Sequence, residues 1–195
     1  GRILDFDIGG GSFEFSTGTN ALPDAAMSVP LGAGRLTREF FDEQPPKPKQ
    51  VKRLRKYVRE QIAPVAENLL RYGVPDMTVG TSKTFRSLAR ICGAAPYSAG
   101  PHVKREMHLQ DLRLWTRRME AMTVSERADL PGVSKARAEQ MLAGAIAAEA
   151  AMEAFGVETM RVCPWALREG LILKRIEHLA EGTGTPVNPK TLLGV

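Results

Sequence analysis

The sequence predicts an α/β fold in the order β-β-β-α-β-α-β-α, with helical stretches inserted at about 48–73 and 105–155. Three observations carry that prediction. Ile3, Leu4, Phe6 and Ile8 make a short apolar strand that stops at Gly9, Gly10 and Gly11. Phe13, Glu14 and Phe15 then alternate as a second strand, so the glycines form the turn of a hairpin. Two later strand patterns, 76–80 and 158–163, are each followed by helical periodicity.

Taken in order, 26–30 is a third short strand, and Gly32-Ala-Gly leads into a helix over 35–41 with Leu36, Phe40 and Phe41 on one side. Pro45-Pro46-Lys47-Pro48 is a stiff linker. Val51, Leu54, Val58, Ile62, Val65 and Leu69 recur at three and four residues, a long helix that Pro64 should kink near 57–60. Its other face carries Lys49, Lys52, Arg53, Arg55, Lys56 and Arg59, a solvated face or a track for a polyanion. After the strand at 76–80 come Thr81, Ser82 and a helix over 85–92. Leu109, Leu112, Trp115, Met119 and Met122 mark another amphipathic helix, and Thr123 with Glu126 forms a capping box. A turn at 130–134 opens one long helix over 135–155, striped with Met141, Ala145, Ala148, Met152 and Phe155. Pro164 leads into a last helix over 166–179, and the Gly-, Thr- and Pro-rich residues 182–195 read as a loose tail.

At 195 residues and 43% hydrophobic content the chain suits one globular domain with a full core. Lys plus Arg number 27 against 22 acidic residues, a balance of +5 that mildly favours polyanionic ligands. No apolar run approaches the length of a membrane span and no signal peptide is present, so a cytoplasmic protein is expected. Cys92 and Cys163 stand alone in apolar segments as buried free thiols, and His102, His108 and His178 share no ligand spacing with them. The chain opens almost directly on a core strand, as a piece cut at a domain boundary would.

The glycine loop carries the chemistry. Three residues without Cβ let backbone N–H groups approach a phosphate closely, and Ser12 adds a hydroxyl. Asp7 puts a carboxylate beside the same cavity. A carboxylate next to phosphate repels it unless a hard cation intervenes, so Asp7 implies Mg²⁺ or Mn²⁺. Gly80-Thr81-Ser82 at a helix start repeats the theme of strand, glycine, hydroxyl and helix N-terminus, although an ordinary N-cap accounts for Thr81 or Ser82 equally well. Neither a P-loop Lys-Ser/Thr nor a G-x-G-x-x-G running into a helix is present.

Asp-Ile-Gly-Gly-Gly-Ser-x-Glu, over 7–14, resembles the second phosphate loop of the exopolyphosphatase and guanosine pentaphosphate phosphohydrolase family. Four further segments resemble the same family in the same order. They are Val29-Pro-Leu-Gly-Ala-Gly-Arg-Leu-Thr-Arg-Glu39, Val79-Gly-Thr-Ser-Lys-Thr84, Glu126-Arg-x-x-x-Leu-Pro-Gly-Val-Ser-x-x-Arg-Ala138 and Pro164-Trp-Ala-Leu-Arg-Glu-Gly170. Lys83 departs from the glycine of many relatives. The resemblance implies an actin-like (ribonuclease H-like) half-fold over 1–181, the second of two such domains. The first domain, which is absent here, would supply the glutamate that activates water. It also implies phosphate binding by Gly9, Gly10, Gly11 and Ser12, with Arg35, Thr81, Ser82 and Arg168 as further contacts, and a metal at Asp7 with Glu14 nearby. The substrate would be inorganic polyphosphate or guanosine pentaphosphate, the partner the missing N-terminal domain. The fragment would bind phosphate without turnover. A homodimer is left open. A phosphate- or nucleotide-binding regulatory module is one alternative. The other is DNA binding through Leu130-Pro-Gly-Val-Ser134 as a helix-hairpin-helix turn, although Ser134 stands where that motif has its second glycine.

Overall fold

The structure is a computed structural model that describes residues 1–163 except Pro101, together with Ile172, Arg175, Ile176 and Leu179, which are helical. The described sheet lies in the unit Gly1–Pro164. Of the expected helix over 166–179 those four residues alone are described; its other residues and the tail over 182–195 lie outside the described residues.

Six strands, β1 (Ile3–Ile8), β2 (Phe13–Gly18), β3 (Ala25–Val29), β4 (Met77–Gly80), β5 (Glu106–His108) and β6 (Thr159–Val162), form one sheet in the order β3-β2-β1-β4-β6-β5. β1, β4 and β6 run parallel, and β2, β3 and β5 pair antiparallel. Alternation in β1 and β2 sends Leu4, Phe6, Ile8, Phe13 and Phe15 to one face, where all are buried. Phe6 packs its ring 5.8 Å from Phe13, 5.2 Å from Phe15 and 5.3 Å from Phe155. Asp5, Asp7 and Glu14 therefore point to the opposite face.

Helices cover the apolar face. α1 (Ala33–Phe40) follows β3, α2 (Pro48–Leu70) buries the expected Val51, Leu54, Val58, Ile62, Val65 and Leu69, and α3 (Lys83–Ile91) follows β4. α2 runs through Pro64 to Leu70 as a single helix. Pro64 lies on the exposed face, where water can take the carbonyl that it frees. α4 (Leu109–Glu120) and α5 (Val124–Ala128) follow β5, and α5 opens with the Thr123–Glu126 capping box. Among the described residues no helix is long and apolar enough to cross a membrane.

The sequence expectation fails in two places. The single helix over 135–155 is two, α6 (Lys135–Ala138) and α7 (Met141–Ala154). At the break Arg127 donates its guanidinium to the carbonyls of Ala138 at 3.5 Å and Glu139 at 3.2 Å, which ties the junction to α5. Nor is α7 merely striped: from Met141 to Met152 every residue is buried, which makes it the central core helix rather than part of an insert. The second failure is β5, an edge strand within the stretch read as helical. Only Met107 of its three residues is buried, too little pattern to register as alternation.

Candidate functional site

β1, β4 and β6 are parallel, so the loops after β1 and β4 emerge at the same edge of the sheet, the place where open α/β sheets bind ligands. In the β1–β2 loop Gly9 N–H donates to Ser12 O at 2.9 Å. The first turn of α1 takes the loop's carbonyls: Ala33 N–H donates to Gly9 O at 3.0 Å and Arg35 N–H to Gly10 O at 2.8 Å. The N–H groups of Gly10, Gly11 and Ser12 have no backbone acceptor among the described residues. The loop is thus tied down through its oxygens and keeps its donors.

None of Gly9, Gly10 and Gly11 has a positive φ. A Cβ on Gly10 or on Gly11 would meet nothing within 4 Å. Neither backbone strain nor internal packing requires glycine there; an open cradle beside unspent donors does. Gly32 is different. A Cβ on it would lie 2.4 Å from Gly11 N and 2.4 Å from Ser12 N, so Gly32 lets α1 dock on the loop at all.

Asp7 closes one side of the cradle. Thr81 Oγ1 donates to Asp7 Oδ2 at 3.1 Å, Thr81 N–H donates to Phe6 O at 3.1 Å, and Thr84 Oγ1 donates to Ile8 O at 3.0 Å. The β4–α3 loop is stitched to the end of β1, and Thr81 orients the carboxylate. Burial is the main cause pushing the Asp7 carboxyl above its ordinary range, and Glu14, directly opposite in the ladder, adds to it. The Thr81 hydroxyl and the Arg86 guanidinium act against the shift. Glu14 accepts from Ser28 Oγ at 3.1 Å.

The structure thus gathers Asp7, Glu14, Gly9 to Ser12 and Thr81. Ser82 sits at the same edge but spends its hydroxyl accepting from Phe85 N–H at 3.3 Å as the cap of α3. Arg35 donates to Glu39 at 2.9 Å along the exposed side of α1, an ion pair within the helix. Arg168 lies outside the described residues. Sequence reasoning passed over Asp5, two positions before Asp7 and on the same face. Period-two alternation signals that placement, but the run read simply as an apolar strand.

Asp5 Oδ1 is buried with no hydrogen-bond partner among the described residues. Burial, reinforced by Asp7, pushes the Asp5 carboxyl up to about 6. A carboxyl raised in the folded state favours folding when protonated, and that stability is lost as pH rises from the unfolded value near 4 through about 6. Asp5→Asn is therefore expected to raise thermal stability at pH 7.5 without divalent cation, by roughly 1–3 kcal/mol. It should also flatten the stability profile between pH 4 and 6, where the unaltered chain declines. Denaturant melts across pH check both, and parallel profiles for the two proteins would refute the assignment.

Whether the site suits a hard cation is answered by the same atoms. Two carboxylates held above their ordinary range and an orphaned buried carboxylate oxygen mark a place short of positive charge. Among the described residues no three His, Cys, Asp or Glu side chains are gathered as a cage. That pattern fits Mg²⁺, which takes one or two carboxylates and completes its shell with water and substrate oxygens.

In the turn at 130–134, Pro131, Gly132 and Ser134 are exposed while Leu130 and Val133 are half-buried. Gly132, at φ +77°, accepts from Ser87 Oγ at 2.7 Å, and a Cβ on it would strike Arg90 Cβ at 2.7 Å. The turn lies against α3, and the α6 that follows has only four residues. The basic face of α2 is partly spent as well. Arg55 is held by Glu120 and Glu149, each at 2.9 Å, and Arg53 stacks over Phe40 at 5.0 Å. Cys92 and Cys163 are free and half-buried rather than fully buried, and burial pushes the Cys92 thiol up to about 12.

The sequence profile of the Ppx/GppA phosphatase family matches residues 1–179. The chain is 50% identical over 183 residues to exopolyphosphatase 1 of Mycobacterium leprae (strain TN), a match covering 94% of this chain and 54% of that protein. It is 51% identical to exopolyphosphatase 1 of Mycobacterium tuberculosis (strain ATCC 25618 / H37Rv), covering 94% and 53%. The crystal structure of the Aquifex aeolicus member of the Ppx/GppA family superposes with a TM-score of 0.80 at 27% identity, over 93% of this chain and 57% of that one. The chain spans about half the length of the relatives it matches.

Proposed function

The chain belongs to the Ppx/GppA phosphatase family, and we propose that it is the phosphate-gripping half of an enzyme that hydrolyses the terminal phosphoanhydride of inorganic polyphosphate. The observation that carries this reading is the glycine loop, whose carbonyls are consumed by α1 while the N–H groups of Gly10, Gly11 and Ser12 have no backbone acceptor beside an open cradle. Such donors suit phosphate oxygens and stabilise the charge that builds on them during phosphoryl transfer. The matched relatives named exopolyphosphatase support polyphosphate over a nucleotide substrate.

In this mechanism Gly10, Gly11 and Ser12 bind and orient the terminal phosphate. Thr81 holds Asp7 so that its carboxylate faces the bound group, and Asp7, with Glu14 beside it, would hold Mg²⁺ or Mn²⁺. A cation held there would neutralise phosphate charge and so lower the barrier to its displacement. Asp5, on the same face two positions earlier, adds negative charge that makes this end of the strand repel a bare phosphate. Water activation is assigned to a carboxylate in the preceding domain of the longer enzyme, so this chain binds without turning over.

The decisive variant is Gly11→Ala. With no atom to collide with, the added methyl is expected to leave stability unchanged or raise it by about 0.4–1 kcal/mol through the unfolded chain. Affinity for tripolyphosphate with Mg²⁺ is expected to fall at least tenfold, about 1.4 kcal/mol. Asp7→Asn should remove the Mg²⁺-dependent part of binding. Calorimetry of the purified chain reads all three proteins; undiminished affinity in Gly11→Ala would overturn the reading. Fast phosphate release by the chain alone would overturn the claim that it does not turn over.

A further inference from the structure

α1 carries two exposed arginines that differ in their partners. Arg35 is neutralised by Glu39 on the next turn at 2.9 Å. Arg38 makes no ion pair among the described residues. Side chains on a helix lean toward its N-terminus and cover the residue four positions earlier. Arg38 does so over Gly34, where the space left by the missing side chain is bounded by three groups. From the point that a Cβ on Gly34 would occupy, Arg38 Nη1 is 3.4 Å away, Gly10 O 3.2 Å and Gln140 Oε1 2.8 Å. The guanidinium therefore lies one small group away from the Gly10 carbonyl of the glycine loop. Gln140, which precedes α7, bounds the same space with its side-chain oxygen.

We propose that Arg38 is the side chain that engages the next phosphate of a linear phosphoanhydride chain whose terminal phosphate occupies the glycine loop. It thereby acts as a specificity residue for chain length. This rests on the reading of the loop given above. The loop carbonyl Gly10 O is already spent on Arg35 N–H, so the guanidinium is not required to satisfy it. An exposed arginine with no internal carboxylate partner keeps its full charge for an incoming anion, and its planar fork suits phosphate oxygens. The paired Arg35, carried on the same helix, provides a built-in control.

The test compares orthophosphate with tripolyphosphate, both with Mg²⁺, by calorimetry on the 195-residue chain and its Arg38→Ala, Arg38→Lys and Arg35→Ala variants. Arg38→Ala is expected to weaken tripolyphosphate about three- to tenfold and leave orthophosphate unchanged. Arg38→Lys should recover part of the loss, Arg35→Ala should behave as the parent, and the salt dependence for tripolyphosphate should be shallower in Arg38→Ala. Equal weakening of both ligands would make Arg38 a support of the loop and overturn the proposal. An unchanged tripolyphosphate affinity in Arg38→Ala would overturn it while leaving the loop reading intact. Failure of the parent to bind either ligand would overturn both.

Discussion

Gly32→Ala is expected to abolish phosphate binding and to destabilise the chain together, the reverse of Gly11→Ala. The methyl would lie 2.4 Å from the nitrogens of Gly11 and Ser12 and 2.4 Å from the carbonyl carbon of Gly11. These are backbone atoms and cannot swing aside as a flexible side chain would. Either the loop moves or α1 withdraws. Both responses break the bonds from Ala33 N–H to Gly9 O and from Arg35 N–H to Gly10 O that hold the loop's oxygens inward. Overpacking at a site that cannot yield costs about 1–3 kcal/mol, and losing the two tethers adds about 0.5–1.5 kcal/mol for each. Affinity for tripolyphosphate should fall about a hundredfold or more, since donors that are no longer preorganised must be ordered on binding. Urea melts and calorimetry on the same preparation read both effects. A Gly32→Ala chain that binds like the parent would show that the loop's shape is independent of α1.

The contrast between Gly11 and Gly32 shows how far the sequence could be read. The hairpin, its glycine turn, Asp7, five of the six strands in their order and the long helix α2 were legible, because apolar alternation and period 3.6 report burial directly. The family resemblance added the phosphate role of the loop. Which glycines are needed for a ligand and which for packing was not legible, since both are simply residues without Cβ. Gly32 becomes distinct only when α1 is seen lying on the Gly11–Ser12 peptide. The two arginines of α1 were indistinct in the sequence for a related reason. Arg35 and Arg38 are equally near the glycine corner in sequence, and only the ion pair to Glu39 and the lean over Gly34 separate them. Thr81 read as a phosphate contact, yet in the fold its hydroxyl is directed at Asp7. A hydroxyl at a helix start carries no mark of which partner it will take. The break between α6 and α7 escaped notice because helical propensity continues across the gap, and the buried arginine tied to it comes from another element.

That arginine supports the other large expected effect. Arg127→Met is expected to destabilise the chain by about 3–5 kcal/mol while leaving the affinity of the surviving folded protein for tripolyphosphate close to that of the parent. Arg127 is fully buried, and no carboxylate pairs with its guanidinium. Its partners are Met122 O at 2.8 Å from Nη2, Glu139 O at 3.2 Å, Ala138 O at 3.5 Å and Gln44 Oε1 at 2.5 Å. One planar fork thereby ties the loop before α1's successor helix, the end of α4's turn and the α6–α7 junction to a single point. Burial holds its pKa below the ordinary arginine range, against the opposing pull of the Glu139 and Glu126 charges nearby. Methionine fills a similar volume but donates nothing, so several buried carbonyl oxygens lose their donor at once. Lysine should not rescue it, because a point charge with three donors cannot reproduce the fork. The junction held by Arg127 begins at Glu139, next to the Gln140 that bounds the slot beside Arg38, so the variant also separates scaffold from site. If stability falls and tripolyphosphate affinity holds, the slot is kept by α7's own packing in the core. A collapse of affinity at temperatures where the variant is still folded would mean that Arg127 positions the Gln140 side of the slot, and that the anion site extends into the α6–α7 junction.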